Sequence, residues 1–165
     1  MAHAVGLDAL ASTEALLGDL AGAGFGTTAV PDLAGRLAAE TLAWTLAEYH
    51  SALSRLPKVL QDDLRAAWGE AEADSACRDG AFRFAAIRAG SVLVALQPER
   101  GRSETRTEDY HSLSAPPRHG YVAFYLWLAA QGVDALIHMG AHGTLEWLPG
   151  HRPLDHILHQ LLEAT

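Results

Sequence analysis

The sequence predicts an α/β fold, namely a parallel sheet with flanking helices, and three observations support this class. Residues 8–69 read as helices that are separated by glycine and proline. Short apolar runs that are partly β-branched begin at residue 81, where the helical period ends. Within residues 81–150 a strand, a long loop, a helix and a further strand follow one another, which is the order of a right-handed βαβ unit with parallel strands.

Three helices are predicted in the first part of the chain. The first covers residues 11–21, where leucines recur at helical spacing, and Ser12 or Thr13 is its candidate cap. The second is predicted over residues 31–53, because a proline suits the first turn and apolar side chains follow along one stripe. The third begins at Pro57 and ends near Gly69.

The middle of the chain predicts two strands. These are Ala81–Ile87 and Ser91–Leu96, with a turn at Ala89-Gly90 between them. The polar residues 70–80 are predicted to form a loop. Residues 97–117 are charged and contain glycine and proline, so they predict a second, long loop, and such loops in compact domains are usually functional or disordered.

The last part of the chain predicts a helix over residues 117–131, a short strand from Asp134 to His138, and an amphipathic helix after Pro153. A doubly wound domain usually opens with a strand, but here the first helix begins almost at once. We therefore expect residues 1–165 to be a single partial domain, an incomplete part of a larger doubly wound domain.

Composition restricts the classes of partner. Twelve basic against twenty acidic residues give a net charge of −8, which argues against non-specific binding of nucleic acid. The single cysteine, Cys77, cannot form an internal disulfide and suits a reducing compartment. The N-terminus lacks the features of a signal peptide, and no apolar run approaches the ~20 residues of a membrane span. These features predict a cytoplasmic protein that binds neither nucleic acid nor membrane.

Two segments follow predicted strands and carry candidate chemistry. Ligands of open parallel sheets bind at the carboxyl ends of the strands. Residues 97–102 follow one predicted strand, and residues 138–147 follow another. Parallel pairing would bring the loops after Leu96 and His138 side by side at one edge of the sheet.

The second segment is rich in groups that bind metal or move protons. His138 and His142 have imidazoles that can ligate a divalent metal or transfer a proton near neutral pH, and Glu146 adds a carboxylate. Gly140 and Gly143 allow a backbone to approach a ligand closely. The alternative is structural, with the histidines in turns and Glu146 in the first turn of a helix. The spacing is not that of the zincin helix motif.

The first segment is rich in arginine. Arg100 and Arg102 carry guanidinium groups, which pair bidentately with carboxylates, so a substrate that bears carboxylates would suit them. The alternative is a solvated charged loop. His111 and His119 flank a proline-rich turn and are expected to be structural instead of catalytic.

Four stretches carry a resemblance to a known family. They are RDGAFRF, LVALQPERGR, DYHSLSAPPRHGYVAFYLWL and ALIHMGAHGTLEWLPG, in this order. Together they resemble the large subunit of aerobic cobaltochelatase, of the CobN type, and the related H subunit of magnesium chelatase shares the HGxLE-type loop. The resemblance is dense over residues 77–150 and weaker before them.

The resemblance implies an activity. Members of this family insert a divalent metal into a tetrapyrrole, which makes them ligases that form nitrogen–metal bonds. ATP and Mg²⁺ are bound by separate AAA+-type ATPase subunits only, while the macrocycle and the metal are bound by the large subunit. In the cobalt branch, Co²⁺ is the substrate metal and hydrogenobyrinic acid a,c-diamide is the acceptor, in cobalamin biosynthesis.

The resemblance also implies roles for individual residues. The HGxLE loop of the family falls on residues 142–146, so His142 and Glu146 are the candidate catalytic residues. His138, His142 and Glu146 are the candidate metal ligands. The candidate substrate-binding residues are Arg100, Arg102, Tyr110 and Trp147, of which the two aromatic residues are equally suited to a core.

Two departures from the family pattern shape the prediction. The family is many times longer than this chain, and residues 151–165 form a divergent tail that does not resemble it. We therefore expect a truncated internal fragment that is inactive alone. Two alternatives stay open: a porphyrin-binding piece of the magnesium chelatase H type, and a stand-alone, non-catalytic tetrapyrrole- or metal-binding remnant. The strings LEWLPG and QPERGR favour the cobalt branch.

Overall fold

The computed structural model describes residues 8–99 and 116–140. The α/β class is confirmed, because the described residues combine helices with a sheet of strands. The elements are α1 (Ala9–Gly22), α2 (Leu33–Ala39), β1 (Thr41–Thr45), α3 (Leu46–Leu53), α4 (Lys58–Trp68), a 3-10 turn (Ala71–Ala73), β2 (Cys77–Arg78), β3 (Ala81–Ala89), β4 (Val92–Ala95) and α5 (His119–Ala130).

The strands form a sheet in the order β1-β3-β2, and β4 also pairs with β3. Both pairings with a defined register are antiparallel: Arg78 lies opposite Ala81 in one, and Ala89 lies opposite Val92 in the other. The prediction of a parallel sheet is therefore wrong for these strands. The physical reason is the length of the connections, since parallel neighbours need a crossover of a dozen or more residues and these strands are joined by two-residue turns.

The turn between β2 and β3 carries a sequence signal for this reversal. Asp79 and Gly80 have φ values of 52° and 72°. A two-residue Asp-Gly turn with both φ values positive is typical of the type I′ hairpin, whose twist matches that of its strands. The turn predicted at Ala89-Gly90 lies one residue later, at Gly90 and Ser91, and Gly90 has a φ of 65°.

The predicted strand from Asp134 to His138 is absent, because these described residues form neither a helix nor a strand. Leu136 is 43% exposed and Ile137 is 63% exposed. A strand requires a neighbour that accepts and donates its backbone hydrogen bonds, and no strand in the described ranges pairs with these residues. The predicted βαβ unit is therefore wrong for the described part of the chain.

The single helix predicted over residues 31–53 is also wrong, because β1 divides it into α2 and α3. Thr45 begins α3 with a capping box: its hydroxyl accepts from the Glu48 backbone N–H at 3.2 Å, and the Glu48 carboxylate accepts from the Thr45 backbone N–H at 2.9 Å. An N-cap residue has extended backbone angles, here φ −67° and ψ 150°. A continuous helix cannot pass through such a residue.

Helices α1, α4 and α5 agree with their predictions to within a few residues, and the helix predicted after Pro153 lies outside the described residues. Asp8, not Ser12 or Thr13, caps α1, since its carboxylate accepts from the Ala11 backbone N–H at 3.0 Å. Gly69 follows α4 with a φ of 75°, a conformation that favours glycine. None of the helices in residues 8–99 and 116–140 is long and apolar enough to cross a bilayer.

The chain divides into two compact units. Of the described residues, unit one combines 8–42, 84–96 and 137–140. Its core joins α1 and α2 to one face of the β3–β4 hairpin, through the buried residues Leu17, Val30, Leu33, Leu37, Ile87 and Ala89. Each large aliphatic side chain that is fully buried in this way contributes about 1.5–3 kcal/mol.

Of the described residues, unit two combines 43–83, 97–99 and 116–136. Helix α5 is its centre, because every residue from His119 to Leu128 is buried. A helix that is apolar all round is enclosed by protein, and α5 packs against α3 within this unit. Polar groups at the start of such a helix need partners from other elements.

Candidate functional site

Most of the site residues predicted from the sequence lie outside the described residues. His138 is described, and it lies in the exposed segment that follows α5. The remaining candidates lie in the ranges that the structure does not describe, and they are the catalytic and metal-binding His142 and Glu146 and the substrate-binding Arg100, Arg102, Tyr110 and Trp147. The convergence of His138, His142 and Glu146, and the proximity of the two loops, therefore stay predictions.

The described residues define one buried polar cluster, at the start of α5 in unit two. The Tyr49 hydroxyl lies 2.6 Å from Nδ1 of His119, and Nε2 of His119 lies 3.0 Å from the Gly69 carbonyl oxygen. Because a carbonyl only accepts, the ring proton is on Nε2, and the Tyr49 hydroxyl donates to Nδ1. Burial, followed by the charges of Asp74 and Glu72, raises the pKa of Tyr49, so this hydroxyl keeps its proton.

Asp74 is the charged member of the cluster. Its Oδ1 accepts from the Ala76 backbone N–H at 2.9 Å, and its Oδ2 accepts from the Gly120 backbone N–H at 3.2 Å. Arg118 brings its Nε to 3.6 Å from Oδ2, and the Asp74 side chain is only 4% exposed. Arg118 makes no side-chain cap of its own, so Asp74 supplies both a hydrogen bond and a negative charge to the N-terminus of α5.

Aromatic rings enclose this cluster. The ring of Tyr49 meets the rings of Phe82, His119 and Trp44 edge to face, at centroid distances of 4.9, 5.8 and 6.1 Å. His119 is only 4% exposed, and both of its ring nitrogens have partners. The cluster therefore fixes the start of α5, in agreement with the expectation that His119 is structural.

Two further groups near the cluster are more exposed. Nε2 of His50 lies 3.1 Å from a carboxylate oxygen of Glu72, and both side chains are about half exposed. Burial, followed by the charges of Glu72 and Asp74, raises the pKa of the Cys77 thiol, which disfavours its thiolate form. Among residues 8–99 and 116–140, no group of three or more His, Cys, Asp or Glu side chains is placed to hold a metal ion.

The sequence interpretation missed Tyr49 and Asp74. Tyr49 lay inside a predicted continuous helix, and Asp74 lay in a segment described only as a polar loop. The side chain of Asp74 accepts a hydrogen bond from the backbone N–H two residues on, which forms an Asx-turn. An aspartate in a polar loop is the local sequence signal for such a turn. Its second partner, Gly120, is 46 residues away, and no local rule connects the two.

Comparison with known proteins places the chain in a family. Residues 1–153 match the family described as CobN/Magnesium Chelatase. The chain belongs to this family. The resemblance inferred from the four sequence motifs is therefore confirmed at the level of the family.

Individual relatives are similar over only part of their own length. The aerobic cobaltochelatase subunit CobN of Sinorhizobium sp is 46% identical over 107 residues, which is 64% of this chain and 8% of the relative. The H subunit of magnesium chelatase from Rhodobacter capsulatus is 37% identical over 90 residues, which is 53% of this chain and 8% of the relative. This CobN-family chain thus spans less than a tenth of the length of these curated relatives.

A solved structure extends the similarity to the fold. The catalytic subunit of cobaltochelatase from Mycobacterium tuberculosis matches with a TM-score of 0.72 and 34% identity. The match covers 90% of this chain and 14% of the solved chain. The helices and antiparallel strands described above therefore form an arrangement that a member of the CobN family shares.

Proposed function

We propose that this chain acts as part of the tetrapyrrole- and metal-binding subunit of an ATP-dependent cobalt chelatase. The observation that carries the proposal is the 46% identity over 107 residues with an aerobic cobaltochelatase subunit. The fold shared with a cobaltochelatase catalytic subunit supports it. The family relationship covers 153 residues of the chain, so the inference does not depend on one motif.

The proposed reaction inserts Co²⁺ into hydrogenobyrinic acid a,c-diamide, a step of cobalamin biosynthesis. The cobalt ion loses bound water, nitrogen–cobalt bonds form, and protons leave the ring nitrogens. We assign the transfer of cobalt to His138 and His142, because imidazoles are suitable ligands for this metal. We assign the acceptance of a ring proton to Glu146, since a carboxylate near the macrocycle can act as a general base.

The macrocycle is proposed to bind through a separate set of residues. Its peripheral carboxylates suit the guanidinium groups of Arg100 and Arg102, which form paired, charge-assisted hydrogen bonds. Its flat face suits stacking on the rings of Tyr110 and Trp147.

Hydrolysis of ATP is assigned to partner subunits of the AAA+ type, which also bind the Mg²⁺. The sequence lacks a GxxxxGK[ST] phosphate-binding loop, in line with this division of labour. We therefore expect the chain alone to show no ATP-dependent cobalt insertion. We place the reaction in the cytoplasm, in accord with the single cysteine, which cannot form an internal disulfide.

Two other functions compete with the proposal. A porphyrin-binding role of the magnesium chelatase H type is favoured by the family relationship and by the 37% identity with such a protein. A stand-alone tetrapyrrole- or metal-binding role would use the same residues without ATP. The first alternative differs from the proposal in the ring that is bound, and the second differs in that no ATP-dependent insertion takes place.

A titration that follows the absorbance of the macrocycle tests the proposal against the magnesium branch. Hydrogenobyrinic acid a,c-diamide and protoporphyrin IX are added separately to the full chain. We expect tighter binding of the corrin precursor, and weaker binding when Arg100 and Arg102 are both changed to alanine. A variant with Arg36→Ala and Arg65→Ala is the matched control, since both arginines are exposed and form ion pairs.

The outcomes separate the candidates. Tighter binding of protoporphyrin IX would favour the magnesium branch. Binding of neither ring by folded chain would contradict a tetrapyrrole-binding role altogether. An equal loss of affinity in the two double variants would mean that Arg100 and Arg102 act only through general charge.

A further inference from the structure

Arg118 is held in place by two contacts that do not use its hydrogen-bond donors. The guanidinium carbon of Arg118 lies 5.6 Å from the ring centroid of Trp68. Its Nε lies 3.6 Å from Oδ2 of Asp74, which is close enough for an ion pair but too far for a hydrogen bond. This Nε is buried and has no hydrogen-bond partner. Among residues 8–99 and 116–140, Asp74 is the only ion-pair partner of Arg118, so its guanidinium fork stays available for another acceptor.

Two exposed arginines of the same chain use these donors on a carboxylate. Nε of Arg36 donates to Oε1 of Glu40 at 2.7 Å, and a terminal nitrogen of Arg36 donates to Oε2 at 3.1 Å. Nε of Arg65 donates to a carboxylate oxygen of Glu70 at 2.9 Å. The planar guanidinium fork matches a carboxylate in this paired geometry. The contrast indicates that the contacts of Arg118 fix its position without saturating its fork.

The two partners of Arg118 are themselves fixed. Nε1 of Trp68 donates to the carbonyl oxygen of Pro116 at 2.9 Å, which restrains the indole ring. Both carboxylate oxygens of Asp74 already accept from backbone N–H groups, at 2.9 Å and 3.2 Å. These two bonds offset part of the negative charge of Asp74. The carboxylate therefore attracts Arg118 while its own oxygens are engaged elsewhere.

Part of the Arg118 side chain is open to a ligand. The side chain is 25% exposed although its Nε is buried, so the exposed quarter belongs to its other atoms. A cation in a partly buried position attracts an anion more strongly than a cation at the open surface, because water and salt screen it less. The chain has a net charge of −8, so binding of an anionic ligand requires a local cation of this kind.

We propose that Arg118 binds a peripheral carboxylate of the tetrapyrrole, and that Trp68 and Asp74 position it for this contact. The proposal rests on the proposed function, in which the chain binds this macrocycle. The carboxylate accepts the paired hydrogen bonds that the guanidinium fork does not make to the described residues. Because the side chain is already restricted, it loses little conformational freedom when the ligand binds.

A change in the ligand separates recognition of a carboxylate from an effect on the fold. The full chain is titrated with hydrogenobyrinic acid a,c-diamide and with its methyl ester, whose former carboxyl groups carry no charge, and the absorbance of the macrocycle gives each Kd. Arg118→Gln removes both the charge and the fork, whereas Arg118→Lys keeps a charge beside Asp74 but lacks the fork. Arg65→Gln is the matched control, because Arg65 forms an exposed ion pair.

We expect Arg118→Gln to bind the acid about tenfold more weakly than the wild type, the effect of losing one hydrogen bond to a charged group. Arg118→Lys should bind the acid about threefold more weakly, the effect of losing one ordinary hydrogen bond. Both variants should bind the ester with wild-type affinity, because the ester offers no carboxylate to Arg118. The control should bind the two ligands as the wild type does.

Unchanged affinity of Arg118→Gln for the acid overturns the proposal. An equal weakening for the acid and the ester also overturns it, because Arg118 would then act only through the fold. If Arg118→Gln does not fold, Arg118→Lys decides by the same two criteria. Failure of the folded wild-type chain to bind either ligand is a different result, since it contradicts the proposed function itself, and the role of Arg118 falls with it.

Discussion

The hydroxyl of Tyr49 lies 2.6 Å from Nδ1 of His119, a residue 70 positions later in the chain. This bond joins α3 to the first residue of α5 inside unit two, and both side chains are buried. A buried hydrogen bond contributes little by itself, but loss of one partner leaves the other without a replacement from water. The Tyr49–His119 bond therefore predicts that removal of the Tyr49 hydroxyl oxygen alone has a large effect on the stability of the fold.

Tyr49→Phe should lower the free energy of unfolding by about 1–3 kcal/mol, because Nδ1 of His119 would lose its donor while the aromatic packing remains. Chemical denaturation of the full chain measures the change. Ser54→Ala is the control, since the Ser54 hydroxyl donates to the Ser51 carbonyl oxygen at an exposed position. Equal stability of the two variants would mean that the Tyr49–His119 bond does not stabilise the fold.

Asp74→Ala should lower the free energy of unfolding by about 2–4 kcal/mol, which is more than Tyr49→Phe. The reason is that it removes the acceptor of two backbone N–H groups and the buried partner of Arg118. Asp62→Ala is the matched control, as Asp62 forms an exposed ion pair with Lys58 and should contribute about 1 kcal/mol or less. A loss within the range of this control would contradict the assignment of Asp74 as the anchor of α5.

The variants Gly90→Ala and Gly132→Ala separate the energetic cost of a positive φ from the cost of close packing around an added Cβ atom. Both glycines have positive φ values, 65° and 63°, so alanine costs about 1–2 kcal/mol at either position. At Gly90 a Cβ atom would also overlap the carbonyl oxygen of Gly26 and lie 2.9 Å from Cα of Thr27, whereas Gly132 has open space. We expect a clearly lower melting temperature for Gly90→Ala than for Gly132→Ala. Equal melting temperatures of the two variants would contradict the close approach of Gly90 to the backbone of Gly26 and Thr27.

The Glu48 carboxyl should make the stability of the folded chain depend on pH. The hydrogen bond from the Thr45 hydroxyl, followed by that from its backbone N–H, holds the pKa of the Glu48 carboxyl below its usual range. A carboxyl with a lowered pKa in the folded state stabilises above its unfolded pKa, and this stabilisation is lost as the pH falls through the folded pKa. The difference in melting temperature between wild type and Glu48→Gln should therefore be present at about pH 6 and shrink towards about pH 3.

Asp63→Asn provides the comparison for this pH series, since Asp63 is an exposed carboxylate within α4. A wild-type minus Glu48→Gln difference that stays constant over the pH range would show that the capping box does not depend on the carboxylate charge. A parallel change in the Asp63→Asn series would attribute the effect to overall charge.

Much of the secondary structure could be predicted from the sequence, because the ends of helices and the positions of strands depend on a few neighbouring residues. Proline and glycine marked the ends of α4, and the apolar run indicated β3, most of whose residues are buried. The rules failed where two local signals competed. Apolar spacing over residues 31–53 favoured one helix, yet the Thr45–Glu48 capping box starts a new one.

Strand direction and tertiary contacts were harder to predict. An apolar run indicates a strand but not the direction of its neighbour, although the Asp79-Gly80 turn was a signal for an antiparallel hairpin. The Asp74–Gly120 and Tyr49–His119 bonds depend on the packing of α5, which no local pattern specifies. The sequence motifs identified the family, but they assign the metal ligands only through resemblance.

Calorimetric titration of the full chain with Co²⁺ tests the proposed role of His142 as a metal ligand most directly. His50→Ala is the matched control, because His50 is an exposed imidazole that pairs with Glu72 at a distance of 3.1 Å. We predict one modest binding event in the wild type and in His50→Ala, its loss in His142→Ala, and its weakening below about pH 6 as imidazoles take up protons. Equal binding by wild type and His142→Ala, or no binding by either in a folded sample, would contradict the proposed metal site.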